Sequence, residues 1–163
     1  SKEGFDSYGI DISSVAINKA QKRLEKDQLT TSLKVGDVSR LPYENRTFDS
    51  VIDNACLYCN DKNKTRKILE EIKRVLKPRG LFYSQTFSDD TYKGRSVTQL
   101  NGLEFKDASD GVFAGGGFFR LANKESIEEL YDGLFTIDSI NKMQQIDDDV
   151  IRVSHLTIVA KNK

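Results

Sequence analysis

Residues 36–52 read GDVSRLPYENRTFDSVI, and the fold prediction depends most on this stretch. It begins with the turn Gly36-Asp37, passes through the proline loop Leu41-Pro42-Tyr43, and ends in a hydrophobic run from Phe48 to Ile52. The residues just before it, Ser32 to Val35, form another short apolar run. Short apolar runs of this kind, bounded by polar turns, are typical of the strands of an α/β sheet.

The segment before residue 32 predicts one strand and one helix. Residues Ser7 to Ile10 predict a short buried strand that ends at Asp11. Ser13 or Ser14 can cap the helix that follows, because a serine hydroxyl accepts a backbone N–H of the first turn. Apolar residues on one stripe predict the packed side of this helix; they are Ala16, Ile17, Ala20 and Leu24.

The segment after residue 52 predicts two helices and three strands. In chain order they are the helix Lys64–Leu76, the strand Leu81–Phe87, the helix Lys124–Asp132 and the strands Phe135–Ile140 and Val150–Ala160. The last two strands suit an antiparallel pair at the edge of the sheet. We therefore predict a single α/β domain over residues 1–163, with a mostly parallel sheet and an antiparallel C-terminal strand pair.

Residues 88–121 interrupt this alternation of strands and helices. They are rich in glycine and carry interleaved aromatic residues, among them Phe119. We predict an irregular insertion that covers a substrate, with aromatic side chains in the wall of a pocket; the alternative is a plain surface excursion. The run Gly115-Gly116-Gly117 lacks the Lys-Ser/Thr pair that follows in a phosphate-binding P-loop.

The composition disfavours several classes of protein. At 163 residues the chain is long enough for one domain with a sizeable core. Lys plus Arg number 25 and Asp plus Glu number 25, and this neutral balance disfavours a nucleic-acid substrate. No apolar run approaches the roughly 18 residues of a membrane span, and two cysteines are too few for a disulfide scaffold, so we predict a cytoplasmic protein.

Cys56, Cys59 and His155 are the candidates for metal or redox chemistry. A structural zinc ion needs four ligands, and the chain offers only His155 besides the two thiols. We therefore predict no metal, and interpret the thiols as ordinary buried or half-buried groups. His155 is either a general base with a pKa near neutrality or a strand residue satisfied by a neighbour.

Acidic residues stand at the predicted carboxyl ends of two strands. Ligands of open α/β sheets bind beyond these strand ends, and a carboxylate there can accept hydrogen bonds from both hydroxyls of a ribose. Asp11 is placed for this role, although an aspartate at a strand end can equally cap a helix. Asp37 could accept a hydrogen bond from an adenine amino group, and Val38 could offer its N–H to the ring.

Four short motifs in order resemble the class I S-adenosylmethionine-dependent methyltransferases, which have a Rossmann-like fold. They are Gly9–Ser13, Gly36–Pro42, Phe48–Ile52 and Arg74–Gly80. The likeness is close over residues 5–88 and loose over 118–163; Arg79 stands where the family often has glycine. It implies S-adenosylmethionine as the cofactor and methyl transfer to a small-molecule or glycan acceptor, with no need for a dedicated base.

The resemblance also implies which residues contact the cofactor. Asp11 would hold the ribose, Ile12 and Val38 would enclose the adenine, and Asp37 would bind the adenine amino group. The turn after the strand from Phe48, Asp53-Asn54-Ala55, would lie under the methionine portion, with Asn54 as the contact.

For the acceptor, the resemblance gives fewer assignments. Tyr58 falls at the mouth of the expected site, and His155 and Phe119 are the other residues that we expect to contact the substrate. It identifies no catalytic residue.

One part of the family pattern, the glycine-rich cofactor loop, has no counterpart before Asp11. We therefore expect an N-terminally truncated domain that lacks the first strand and helix, and catalysis by this chain alone is in question. The vacant strand position would leave unpaired sheet edges, through which a homo-oligomer could form. A non-catalytic adenosine-binding or interaction module, completed by a second chain, is the alternative; the motifs fit an NAD-dependent oxidoreductase poorly.

Overall fold

The computed structural model describes residues 3–147 and 150–163, without the side chains of residues 150 and 151. The chain forms two compact units, Ser1–Pro42 and Tyr43–Lys163, which we describe separately. The single domain over residues 1–163 stays a prediction.

Unit 1 is a short strand–helix–strand segment. Strand β1 is Tyr8–Asp11, helix α1 is Ser14–Lys26, and strand β2 is Ser32–Val35. The two strands pair in parallel, with Asp11 opposite Val35. Ser13 caps α1 by accepting the N–H of Ala16, and the predicted apolar stripe of the helix is half-buried. The predicted strands, helix and cap are confirmed here, but the expectation that the first strand is buried is wrong, because Tyr8 is 52% exposed and Asp11 is also exposed.

Unit 2 contains a four-stranded sheet and two α-helices. In chain order they are β3 Phe48–Asn54, α2 Lys62–Val75, β4 Leu76–Phe87, α3 Lys124–Tyr131, β8 Phe135–Asp147 and β9 Val150–Asn162. The order of the strands in the sheet is β3-β4-β9-β8. Strands β3 and β4 are parallel, whereas β9 runs antiparallel to both β4 and β8. The predicted antiparallel C-terminal pair is confirmed, and β8 extends seven residues past its predicted end at Ile140.

One face of this sheet carries the core of unit 2. Phe82 on β4 is fully buried and stacks on Tyr131 of α3, with ring centroids 5.8 Å apart. Helix α2 buries the residues Thr65, Ile68, Leu69, Ile72 and Val75. On the opposite face, Ile52 is 72% and Tyr83 is 39% exposed, so the two faces differ strongly in their burial.

The junction between α2 and β4 differs from the prediction. The sequence predicts a helix to Leu76 and a strand from Leu81, but the helix ends at Val75 and β4 begins at once. The register between β3 and β4 shifts at this point. Arg79 has a φ of 63°, in the left-handed region that glycine adopts most easily.

The stretch 88–121 is more regular than the sequence predicts. It contains a three-stranded antiparallel sheet of β5 Thr98–Asn101, β6 Glu104–Lys106 and β7 Phe119–Arg120. The two-residue loop Gly102-Leu103 connects the first two strands, and Gly102 has a positive φ of 49°. Glycine at the first position of a two-residue loop favours a hairpin. The prediction of a wholly irregular insertion is wrong.

Within the described part of the chain, no helix has both the length and the apolar character needed to cross a membrane.

Candidate functional site

In unit 1 the carboxyl end of β1 presents Asp11 and Ile12. One carboxylate oxygen of Asp11, Oδ1, accepts the backbone N–H of Ser13 at 2.7 Å, which fixes the orientation of the side chain. The carboxylate is nevertheless exposed. Ile12 is 71% exposed, which is a large apolar surface for a residue beside a strand end.

The carboxyl end of β2 presents Asp37 and Val38 beside them. The N–H of Gly36 donates to the carbonyl oxygen of Asp11 at 2.9 Å, so the two strand ends stay paired up to this point. Asp37 Oδ1 accepts the N–H of Ser39 at 2.8 Å. Val38 is half-buried and Asp37 is exposed.

These four residues suit the adenosine portion of a nucleoside cofactor. Two oriented, exposed carboxylates at neighbouring strand ends can accept hydrogen bonds from ribose hydroxyls and from an exocyclic amine. An exposed isoleucine and a half-buried valine supply apolar surface for a base. The chemistry of unit 1 therefore fits the roles that the resemblance implies, which stay predictions.

In unit 2 the corresponding feature is the turn that follows β3. Asn54 is the last residue of β3 and its side chain is exposed. Ala55 has a φ of 55°, in the left-handed region, and its N–H donates to the carbonyl oxygen of Gln85 on β4 at 3.0 Å. A non-glycine residue in this region costs on the order of 1–3 kcal/mol and is held there by its surroundings.

The burial of Asp53, the residue before Asn54, was not predicted from the sequence. Asp53 is 6% exposed. Its Oδ1 accepts the N–H groups of Cys56 at 2.9 Å and Leu57 at 3.3 Å, and its Oδ2 accepts the hydroxyl of Ser84 at 2.6 Å. Burial raises the pKa of Asp53, while these hydrogen bonds and the charge of Arg120 oppose the rise.

Arg120 was also missed. It belongs to β7, is 7% exposed, and donates to the carbonyl oxygen of Asn60 and to Thr65 Oγ1, both at 3.3 Å. Burial lowers its pKa. Charged residues are rarely buried, and Asp53 and Arg120 lie far apart in sequence, so no local pattern could have identified them.

Tyr58 and His155 lie around Phe87, at the carboxyl end of β4. The ring centroid of Phe87 is 4.8 Å from that of Tyr58, 4.7 Å from that of His155 and 4.9 Å from that of Phe113. Burial, followed by contacts with Cys59 and Cys56, raises the pKa of Tyr58 to about 12, so its hydroxyl stays protonated at neutral pH. Burial lowers the pKa of His155, which favours the neutral imidazole.

Phe119 does not lie at an accessible surface. It is 2% exposed and stacks on Phe113 with ring centroids 3.9 Å apart, and on Phe105 at 5.5 Å. Its ring is a packing group of the small sheet. Its contact with a substrate stays a prediction.

The exposure of the two thiols differs from what the sequence predicts. Cys56 and Cys59 are both exposed and neither forms a disulfide, so the expectation of buried or half-buried groups is wrong. Cys56 directly precedes the 3₁₀ turn Leu57–Cys59, and Cys59 is the last residue of that turn. Among the described residues no group of three or more His, Cys, Asp or Glu side chains is arranged to hold a metal ion.

A surface pocket of unit 2 lies elsewhere, between α3 and β8. Its lining includes Asp89, Asn123, Glu128, Ile137 and Lys142. It contains none of the residues predicted from the sequence. The residues predicted from the sequence lie instead at the positions described above, separately in unit 1 and in unit 2.

Residues 2–113 match the model of a family described as a methyltransferase domain. The chain belongs to this methyltransferase domain family. It is 32% identical over 127 residues to an uncharacterized protein of Haemophilus influenzae, an alignment that covers 71% of the chain and 50% of that protein. It is 38% identical over 71 residues to the malonyl-[acyl-carrier protein] O-methyltransferase of Nitrosospira multiformis, which covers 42% of the chain and 22% of that enzyme.

Among solved structures, the chain resembles a SAM-dependent methyltransferase from Methanosarcina mazei. The TM-score is 0.80 at 22% sequence identity, over 98% of the chain and 83% of that protein. This likeness confirms the predicted Rossmann-like methyltransferase fold. The chain spans half the length of the Haemophilus relative.

Family membership confirms the family that was predicted from the sequence. The activity, the cofactor and the class of substrate belong to the proposal that follows. The roles of individual residues are not decided by membership and belong to the proposal that follows.

Proposed function

We propose that the protein to which this chain belongs transfers a methyl group from S-adenosylmethionine to a small-molecule or glycan acceptor in the cytoplasm. The observation that carries the proposal is the match of residues 2–113 to the methyltransferase domain family. The pair of oriented carboxylates at the ends of β1 and β2 supports it, because their chemistry suits an adenosine.

In this proposal unit 1 recognises the adenosine portion of the cofactor. Asp11 accepts hydrogen bonds from the ribose hydroxyls, and Asp37 accepts one from the adenine amino group. Ile12, which is 71% exposed, and Val38 cover the faces of the base. Burial of the isoleucine side chain on binding would contribute up to about 2 kcal/mol.

Unit 2 contributes Asn54 for the methionine portion, and Tyr58 and His155 for the acceptor. The cofactor supplies an electrophilic methyl group on a sulfonium. The residues bind and align the reactants, which contributes much of the rate of such transfers. The neutral imidazole favoured by burial of His155 can accept a proton from the acceptor.

A second candidate is a non-catalytic adenosine-binding module that pairs with another chain. It is favoured by the position of β3 at the edge of its four-stranded sheet, with Ile52 72% exposed. An exposed strand edge is a template for pairing. A homo-oligomer formed through this edge, without methyl transfer, would distinguish this candidate from the enzyme.

A ligand panel tests the proposal. S-Adenosylhomocysteine, adenosine and NAD are titrated into the purified chain, with Asn54→Ala as the test variant and Asn141→Ala, an exposed asparagine of β8, as its control. We expect S-adenosylhomocysteine to bind more tightly than adenosine, and NAD not to bind. Asn54→Ala should weaken S-adenosylhomocysteine about tenfold, the effect of one lost hydrogen bond to a polar ligand, and leave adenosine unchanged.

Two results would contradict the proposal. One is a folded chain that binds NAD in preference to S-adenosylhomocysteine. The other is an equal loss of adenosine and S-adenosylhomocysteine binding in Asn54→Ala, which would remove Asn54 from the methionine portion.

A further inference from the structure

We propose that Asp53 is a positioning residue of the cofactor site: its buried carboxylate, together with Thr65 and Arg120, holds the segment 54–60 in the shape that presents Asn54. The inference rests on the proposed function, because Asn54 matters here as a cofactor contact. Asp53 itself touches no ligand in this scheme.

The beginning of the segment is fixed by Asp53. Its Oδ1 accepts the N–H of Cys56 at 2.9 Å and that of Leu57 at 3.3 Å, so it caps the 3₁₀ turn from inside. Ser84 on β4 orients the carboxylate by donating to Oδ2 at 2.6 Å. A carboxylate can only accept hydrogen bonds, and here its two oxygens accept from three donors. Both oxygens are therefore satisfied.

The end of the segment is fixed by Thr65 and Arg120. The hydroxyl of Thr65, which is 1% exposed, lies 3.2 Å from the carbonyl oxygen of Asn60 and 3.4 Å from that of Leu57. Arg120 donates to the same carbonyl oxygen of Asn60 and to the hydroxyl oxygen of Thr65, both at 3.3 Å. The segment is thus held at both ends by buried polar side chains.

Arg120 also joins the insertion to this segment. It lies on β7, where its partner strand β6 places Glu104 opposite. Glu104 Oε1 accepts the N–H of Lys62 at the start of α2, at 2.9 Å. The small sheet therefore contacts the first turn of α2 through two charged residues, and its placement depends on the same polar groups that hold the segment 54–60.

Thermodynamic stability alone gives a weak reason for this arrangement. Burying a carboxylate and a guanidinium carries a desolvation penalty, and apolar replacements of similar volume are often neutral or stabilising. The hydrogen bonds are instead directed at backbone N–H and carbonyl groups of one short segment. That segment holds Ala55 at a φ of 55° directly beside Asn54. A positioning role explains both the burial and the direction of these bonds.

The test compares Asp53→Asn with Asp53→Leu. Asparagine keeps an oxygen for the two backbone N–H groups and can donate to Ser84, whereas leucine keeps only the branched shape of the side chain. Asp49→Leu is the matched control, since Asp49 is an exposed carboxylate of the same strand. Thr65→Val, which removes one hydroxyl without changing the volume, provides a second variant if Asp53→Leu does not fold.

Two readouts are measured on the whole chain: hydrogen exchange of the Cys56 and Leu57 amides by NMR, and the affinities for S-adenosylhomocysteine and adenosine. Asp53→Leu should lose about tenfold or more in amide protection and in S-adenosylhomocysteine affinity, and keep its adenosine affinity. Asp53→Asn should keep its amide protection and its S-adenosylhomocysteine affinity within about threefold of the parent chain. That difference is smaller than the effect of losing one hydrogen bond. Thr65→Val should weaken S-adenosylhomocysteine and leave adenosine unchanged.

The inference is overturned if Asp53→Leu and Asp53→Asn give the same result in both readouts, whether both variants behave like the parent chain or both are impaired. Unchanged S-adenosylhomocysteine affinity in Thr65→Val would likewise overturn it when Asp53→Leu cannot be purified. Failure of the proposed function has a different signature, because the parent chain would then not bind S-adenosylhomocysteine at all. The amide exchange would still decide whether Asp53 holds the turn.

Discussion

Replacing Asn162 by alanine should destabilise the fold of unit 2 through lost hydrogen bonds. Asn162 lies near the end of β9 and is 8% exposed. Its Nδ2 donates to the carbonyl oxygens of Lys73 at 3.2 Å, Leu76 at 3.0 Å and Lys77 at 3.2 Å. These carbonyls lie where α2 ends and β4 begins, so the amide satisfies groups that a helix end leaves without intrahelical partners.

The size of the effect follows from this geometry. Two N–H hydrogens serve three carbonyl oxygens, and each net hydrogen bond contributes about 1 kcal/mol. Leaving the carbonyl of Leu76, a residue with 0% exposure, without a donor adds to the loss. Removal of Oδ1, a buried atom with no hydrogen-bond partner in the described structure, offsets part of it. We expect a loss of about 2 kcal/mol in the free energy of unfolding.

Urea denaturation followed by circular dichroism measures this loss. With a slope of about 2 kcal/mol per molar urea, the midpoint should fall by about 1 M. Asn162→Asp keeps the volume but removes the donors and should be at least as destabilising as alanine at neutral pH. The exposed Asn141→Ala should change the free energy by less than about 0.5 kcal/mol. A midpoint for Asn162→Ala equal to that of Asn141→Ala would show that the hydrogen bonds of Asn162 do not stabilise the fold.

Three further predictions concern charge, thiols and the backbone. Burial opposes ionisation of Asp90, but hydrogen bonds, led by the one from Lys142, hold its pKa at about 2, below the ordinary 3.8. The folding free energy that this lowered pKa provides should be lost as the pH falls from about 4 towards 2. Acid denaturation of Asp90→Asn should not show that loss. Cys56 and Cys59 are exposed, so both should react with maleimide in the folded chain, and S-adenosylhomocysteine should slow the reaction if Asn54 contacts it. Arg79→Gly should raise the free energy of unfolding by up to about 1 kcal/mol, because it relieves a left-handed φ of 63°, and thermal melts that show a decrease would contradict this.

Much of the fold could be predicted because its signals are local. The strands β1 and β2 are short apolar runs bounded by turns, and α2 carries a clear apolar face. The end of β8 could not be predicted in this way, since residues 141–147 are exposed and lack alternation. They are strand because the backbone pairs with β9. The hairpin loop Gly102-Leu103 has a local signal, a glycine at its first position, but ten other glycines in the chain make that signal unspecific.

The exposed residues at the strand ends could be predicted from the sequence, whereas the buried charged residues behind them could not. The cap at Ser13 and the exposed Asp11 and Asp37 follow from residue type and position. Asp53 and Arg120 do not, because their burial is decided by tertiary packing between β3, α2 and the small sheet. Phe119 illustrates the same limit: aromatic character alone does not distinguish a pocket wall from a packed core, and packing against Phe113 buries this ring.

The role of Asp11 in binding the cofactor is tested by calorimetric titration of the chain and of Asp11→Ala with S-adenosylhomocysteine. The control is Asp6→Ala, since Asp6 is an exposed carboxylate outside the strand. We expect binding by the parent chain and by the control, and a loss of about a hundredfold in Asp11→Ala, since two hydrogen bonds from ribose hydroxyls to a charged group would be lost. Equal affinity in Asp11→Ala, or no binding by the folded parent chain, would contradict it.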